Sequence, residues 1–247
     1  MSLSLDLCWS NVTAIRDALG LVERHGADTD AYLELTSAMS PHPVGSLRWF
    51  QGEVNLVYVG LTVEPIQLDS HMMFAFTQSD SPIPHFTVDS VRSGEGYAFH
   101  LDLIPRVDLG AHLAYMDCCF VPLTSVREQT LEMPGLTRAH LDPRQWALMS
   151  EWMLAHRADE EAFRQVPAVV DAYRQHWLDL VADGVSDAVL DGVTAANIQQ
   201  RNAANLGAIF NPEVDKVWAN VERLVGHEQS ERVRSLLLCG GTSDGGQ

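Results

Sequence analysis

The sequence predicts an α+β fold, an α/β/α sandwich in which a central antiparallel sheet is flanked by helices on both faces. Two observations carry this. Between Gly45 and Pro105 apolar residues recur with period 2 in five successive runs joined by short turns, the pattern of an antiparallel meander. Before and after that block the period becomes helical, and helices on both sides of a strand block in sequence are the material for covering both sides of a sheet.

Taken in order, Ser10 reads as the N-cap of a helix running to His25, with Val12, Ile15, Leu19 and Val22 on one stripe and Gly26 as its stop. A short helix is expected from about Asp30 to Met39, ending before SPHP. The strands SLRWF, NLVYVGLTV, IQLDSHMMFAF, HFTVDSV and YAFHLDLIP follow, punctuated by QG, EP, SDSP and SGEG. From Leu109 the helical period returns. AHLAYMDCCF reads as a short helix, LEMPGLTRAHL as an extended edge segment, and Asp142-Pro143 as a cap opening a helix to about His156. Further helices are expected from about Glu160 to Asp183, Thr194 to Phe210, Pro212 to Val225 and Glu228 to Cys239. Residues 1–239 read as a single domain, and GGTSDGGQ, residues 240–247, as a disordered tail.

Composition narrows the function. The chain is 46% hydrophobic and 20% charged, as globular proteins are. Its longest apolar runs, such as Met72 to Phe76, are too short to span a bilayer. MSLSLDLCWSN lacks the basic start and long apolar run of a secretory signal. The four cysteines contain a vicinal pair, Cys118-Cys119, and no CxxC. A reducing cytoplasm is the expected home. A net charge of −17 argues against nucleic acid, whose counterions must be replaced by protein cations. No GxGxxG, Walker A or HExxH is present, and no two histidines sit four apart on a helix. No metal or cofactor site is therefore expected.

The informative stretch is IPHFTVDSVRSGEGYAFHLDLIPRVDL, Ile83 to Leu109. Alternation puts His85, Thr87, Asp89 and Val91 on one face, beside Ala98, His100, Asp102 and Ile104 of the next strand. If both faces of the sheet are covered, this row cannot look at bulk water. Burying such groups without partners costs several kcal/mol, so a lined cavity is expected.

At this hairpin the sequence resembles the ferredoxin-dependent bilin reductases and the related red chlorophyll catabolite reductases. The likeness begins at MMFAFTQSDSPIPHFTVDSV and continues into a "DLxPRxDL" segment, Asp102 to Leu109. The run Pro-Arg-x-Asp-Leu and the HLAYM segment after it resemble the chlorophyll branch more closely. Downstream, the order of elements agrees: a strand with Arg138, a capped helix, a helix with a late Trp177, and a polar helix reaching Phe210.

The resemblance implies a linear tetrapyrrole held between the sheet and the C-terminal helices. It implies reduction by single electrons from ferredoxin or another small donor, with no bound metal or flavin and with protons from pocket side chains. Asp89 falls where the family has its acidic proton donor or substrate clamp, and His71 near a functional histidine of some members. Asn205 falls where the chlorophyll branch has an Asp. An amide cannot deliver a proton as a carboxylic acid can, so Asn205 is expected to hold the substrate. Arg138 matches an arginine that grips a propionate, a task suited to a guanidinium fork, and Arg201 is a second such clamp. His85 and His100, assigned from strand parity, are expected to line the cavity. Asp102 and Arg106 are expected to pair and fix the strand exit. Plainer readings stand beside these: a solvated strand Asp, a surface Asn, an edge-strand Arg. Because ferredoxin is acidic, a protein of −17 is repelled on average. A non-catalytic tetrapyrrole or small-molecule binding protein of the same fold therefore stays open as the alternative.

Overall fold

The computed structural model describes residues 2–27 and 29–242. Helix α1 (Leu3–Leu19) starts earlier than Ser10, because the Ser2 hydroxyl accepts from the Leu5 amide and caps it. It stops at Gly20, whose φ of 60° suits glycine. The expected continuation to His25 is instead strand β1 (Val22–Arg24), and the expected helix over 30–39 is instead β2 (Leu33–Leu35). Both lie along one edge of β3 (Gly45–Gln51), β1 against Trp49–Gln51 and β2 against Gly45–Leu47. An open edge offering unpaired backbone groups outweighs weak local helix preference.

The meander forms as expected: β4 (Asn55–Val63), β5 (Leu68–Phe76), β6 (His85–Ser93) and β7 (Gly96–Ile104) pair antiparallel in sequence order. Then come α2 (Leu113–Cys119), α3 (Thr124–Leu131), β8 (Leu136–Arg138) and α4 (Pro143–Leu148). The helix opened by Asp142-Pro143 does not reach His156. Residues beyond it form β9 (Leu154–Ala158), which takes the free edge of β7 and in turn holds β8. The order is β1-β3-β4-β5-β6-β7-β9-β8 in a nine-stranded sheet, with β2 beside β1 on β3. Helices α5 (Glu160–Phe163), α6 (Val166–Asp183), α7 (Ala195–Ile209), α8 (Val217–Val225) and α9 (His227–Leu238) complete the described chain.

Strand parity sends Phe86, Val88 and Leu101 into one core with Leu7, Val12 and Ile15 of α1 and Tyr173 and Trp177 of α6. It sends Val57, Val59 and Phe74 into a second core with Phe210, Trp218 of α8 and Val233 of α9. Helices thus cover both faces, as the sequence predicts. The expected loose tail begins anchored. The Gly241 carbonyl accepts from Trp49 Nε1 at 2.8 Å, and the Gly240 carbonyl from Asn55 Nδ2 at 3.3 Å. A Cβ on Gly241 would come within 2.9 Å of the Asn55 Cβ, so this close approach needs glycine. Residues 243–247 lie outside the described residues. Among the described residues no helix is long and apolar enough to cross a membrane.

Candidate active site

Between the sheet and the layer of α7, α8 and α9 lies a cavity of about 340 Å³, walled chiefly by apolar side chains such as Met72, Phe74, Phe210, Trp218 and Val233. That is within the range of small-molecule sites. Its floor carries an acid–base pair. Asp89 of β6 and His100 of β7 are directly opposite in register, and His100 Nδ1 lies 3.4 Å from Asp89 Oδ2. Their other polar atoms, Asp89 Oδ1 and His100 Nε2, are buried without a partner. Such atoms are costly unless something else binds them.

Asp215, from the turn before α8, borders the same cavity, and its carboxylate accepts from the Val217 amide at 3.0 Å. Burial pushes its carboxyl up, opposed by that amide and by His100, while the charge of Asp89 pushes it further up. Burial alone would push the His100 imidazolium down. The hydrogen bond and charge of Asp89, with Asp102 and Asp215 adding, carry it above the ordinary histidine value instead. The site therefore favours a protonated His100 beside Asp89 and a protonatable acid at Asp215. Asp215 escapes a reading of the sequence because Asn211-Pro212 looks like a helix start, which would bury it in a helix. The structure delays α8 to Val217 and leaves Asp215 at the turn.

The other expected site residues separate from this pair. His71 borders the cavity, yet its ring is engaged beneath α1: Nδ1 accepts from the Tyr58 hydroxyl at 2.8 Å and Nε2 donates to Asp69 at 2.9 Å. Parity places it beside Met73 and Ala75, on the face opposite Asp89. His85 is sealed off. Its Nδ1 accepts from the Thr77 amide at 3.1 Å and its Nε2 donates to Asn202 of α7 at 2.9 Å. Burial and the Arg106 charge hold its imidazolium well below the ordinary value. Asn205 donates to the Pro105 carbonyl at 3.3 Å, off the cavity. Arg201 lies 3.5 Å from Asp108. Arg138, on the β8 edge, stacks over Trp146 at 4.3 Å, beside rather than in the main cavity.

The expected Asp102–Arg106 pair does not form. Asp102 accepts from the Ser150 amide at 2.9 Å and hydroxyl at 2.5 Å, and burial pushes its carboxyl up to about 7. Arg106, turned away beyond Pro105, donates to Thr77 Oγ1 at 3.0 Å and to the carbonyls of Gln78 and Ser79. Parity sends Asp102 onto the sheet face and the proline turn sends Arg106 into the loop before β6.

A nine-stranded antiparallel sheet between helical layers, with a polar pair at the floor of a cavity on one face, defines an α/β/α sandwich. The chain is similar in structure to phytochromobilin synthase from tomato in complex with biliverdin, with a TM-score of 0.72 and 15% identity. The similarity covers 96% of this chain and 83% of that one, and at that identity it shows the fold. That is the fold the hairpin resemblance implies. No family model matches the chain, and no curated protein matches it in sequence.

Proposed function

We propose that the cavity binds a linear tetrapyrrole, a bilin or an open-chain chlorophyll catabolite, and that the protein reduces it with electrons from an external ferredoxin-type donor. The observation that carries the reading is the Asp89–His100 pair, whose unpartnered oxygen and nitrogen are set in a chiefly apolar cavity. Asp89 Oδ1 suits a pyrrole N–H, and a protonated His100 suits a pigment carbonyl or an adjacent proton acceptor. Two electrons, arriving singly, and two protons convert one double bond to a single bond. Asp89 and His100 hold one proton between them, and Asp215 is placed to hold the other. The similarity to a structure holding biliverdin supports the ligand class.

The net charge of −17 favours a second reading, a tetrapyrrole carrier without a redox partner. One experiment separates them. Anaerobic titration with biliverdin should red-shift its visible band, and a reduced ferredoxin system should then bleach it. Binding without bleaching supports the carrier, and no spectral change with any linear tetrapyrrole removes both readings.

A further inference from the structure

The buried tryptophans of this protein differ in what their indole N–H groups meet. Trp49 donates to the Gly241 carbonyl at 2.8 Å, Trp152 to Thr124 Oγ1 at 2.9 Å and Trp177 to the Pro84 carbonyl at 2.8 Å. Trp218 does not follow them. It stands in the first turn of α8, is 5% exposed, and packs edge-on against Phe210 with ring centres 6.2 Å apart. Its Nε1 is buried with no hydrogen-bond partner. Trp218 walls the same cavity as Asp89 and His100, beside the apolar surface of Met72, Phe74 and Val233.

An indole N–H only donates and does not titrate. Unlike His100 or Asp215, Trp218 cannot settle its polar atom by trading a proton, so a buried donor of this kind calls for an acceptor from outside the chain. That acceptor is uncharged. Asp89 and Asp215 border the same space, and an anion placed among them would be desolvated and repelled together. A carbonyl oxygen meets both conditions.

Resting on the tetrapyrrole reading above, we propose that Trp218 is a specificity-determining residue whose indole N–H takes the lactam carbonyl of an end ring, while Asp89 receives a pyrrole N–H. Every ring of a linear tetrapyrrole carries a nitrogen. Acid arms apart, only its end rings carry a carbonyl. An apolar wall alone discriminates weakly between such similar rings, whereas a buried donor penalises any ring that leaves it unpaired. A fixed donor on α8 therefore reads the end of the pigment and sets which stretch of it reaches the Asp89–His100 pair.

The test follows the Trp218 indole N–H by NMR, its signal identified by its loss in Trp218→Phe. A dipyrrinone, half of a bilin with one lactam ring, should move that signal downfield as it saturates the protein. The matching thiolactam keeps the ring N–H but offers a weakly accepting sulfur. It should move the signal less and bind roughly three- to tenfold more weakly, the worth of one neutral hydrogen bond. Trp218→Phe keeps an aromatic wall, and it should weaken the dipyrrinone by the same factor and erase the preference for lactam over thiolactam. Phe210→Leu loosens the same wall without removing a donor, so it should weaken both ligands alike and leave the preference standing. Because the preference is a ratio within one variant, a loss of folded protein does not imitate it. Equal binding of lactam and thiolactam to the unaltered protein overturns the assignment. A preference that survives Trp218→Phe, or an indole signal that stays still at saturation, overturns it as well. If neither the dipyrrinone nor biliverdin binds, the tetrapyrrole reading falls and pyrrolidinone, a simple lactam, decides Trp218. A saturable downfield shift then keeps a carbonyl site for a smaller lactam, and no shift removes it.

Discussion

The sheet face under α1 and α6 and the face under α7, α8 and α9 are built from the same strands, and they treat the ionisable side chains of β5, β6 and β7 differently, although the Ser4 and Ser90 hydroxyls under α1 are also buried without a partner. Under α1, His71 is bonded at both ring nitrogens, the Cys8 thiol lies 3.4 Å from the His71 carbonyl, and Asn11 donates to the Leu7 carbonyl. Trp177, fully buried in that layer, donates to the Pro84 carbonyl at 2.8 Å. Under α8, by contrast, Asp89, His100 and Trp218 each keep a buried polar atom with no partner. Even on one face the distinction holds, since His85 is saturated by Thr77 and Asn202 while His100 is not. A buried histidine is therefore a poor guide to function until its partners are counted. The saturated ones hold the fold, and the unsaturated ones, His100 and His156, line the cavity.

The largest expected effect tests the packing side of this contrast. Trp177→Ala should cost about 3–5 kcal/mol, as aromatic truncation in a filled core does. Met149→Ala, half-buried on the cavity wall, should cost nearer about 1 kcal/mol because little surrounding packing is lost. Denaturant titration of both variants checks this, and equal losses would erase the difference between the faces.

Next comes the acid at the floor. Asp89→Asn keeps the shape and one acceptor but cannot give up a proton. Reduction should fall by at least about a hundredfold, the low end for acid–base catalysis, while pigment affinity stays within about tenfold. Anaerobic turnover with a parallel binding titration reads both, and full turnover would make Asp89 scaffolding.

His71→Asn probes the opposite face. It strands the Tyr58 hydroxyl and removes one of three donors to Asp69, which keeps Ser2 and Thr62, so stability should drop by about 1–3 kcal/mol with the reduction rate of the folded protein unchanged. A folded variant that binds pigment but has lost turnover would return His71 to the chemistry.

The smallest effect concerns Asp102. Its carboxyl sits near 7 when folded, raised from the ordinary carboxylate value by burial. The folded state therefore holds a proton that the unfolded chain has already lost between about pH 4 and 7, and stability falls as pH rises through that window. Asp102→Asn should flatten this slope, by on the order of 1 kcal/mol between pH 5 and 8. Denaturation at the two pH values is the measurement. An unchanged slope would place the titration elsewhere in the cluster.

The elements that escaped the sequence share a cause. β1, β2 and β9 are short segments beside edges that only the assembled sheet provides. In the stretch from Asp142 to His156, a good helix cap and helical spacing conceal the strand at its end. Arg201 and Asn205 lie on the expected helix, but periodicity gives a helix its stripe without fixing what each residue meets. Asn202, a neighbour on α7, is the one that reaches a histidine of the sheet.

By itself the sequence determined the meander and put Asp89 and His100 on one face, because alternation is built into an extended chain and holds whatever packs on it. Only the tertiary structure decided that His71 and Asp89 face opposite layers, one filled and one hollow, and that Asp215 borders the cavity of Asp89. Those outcomes depend on where helices far along the chain come to rest. They are set by the burial of whole apolar faces and by open strand edges seeking partners, neither of which a local pattern contains.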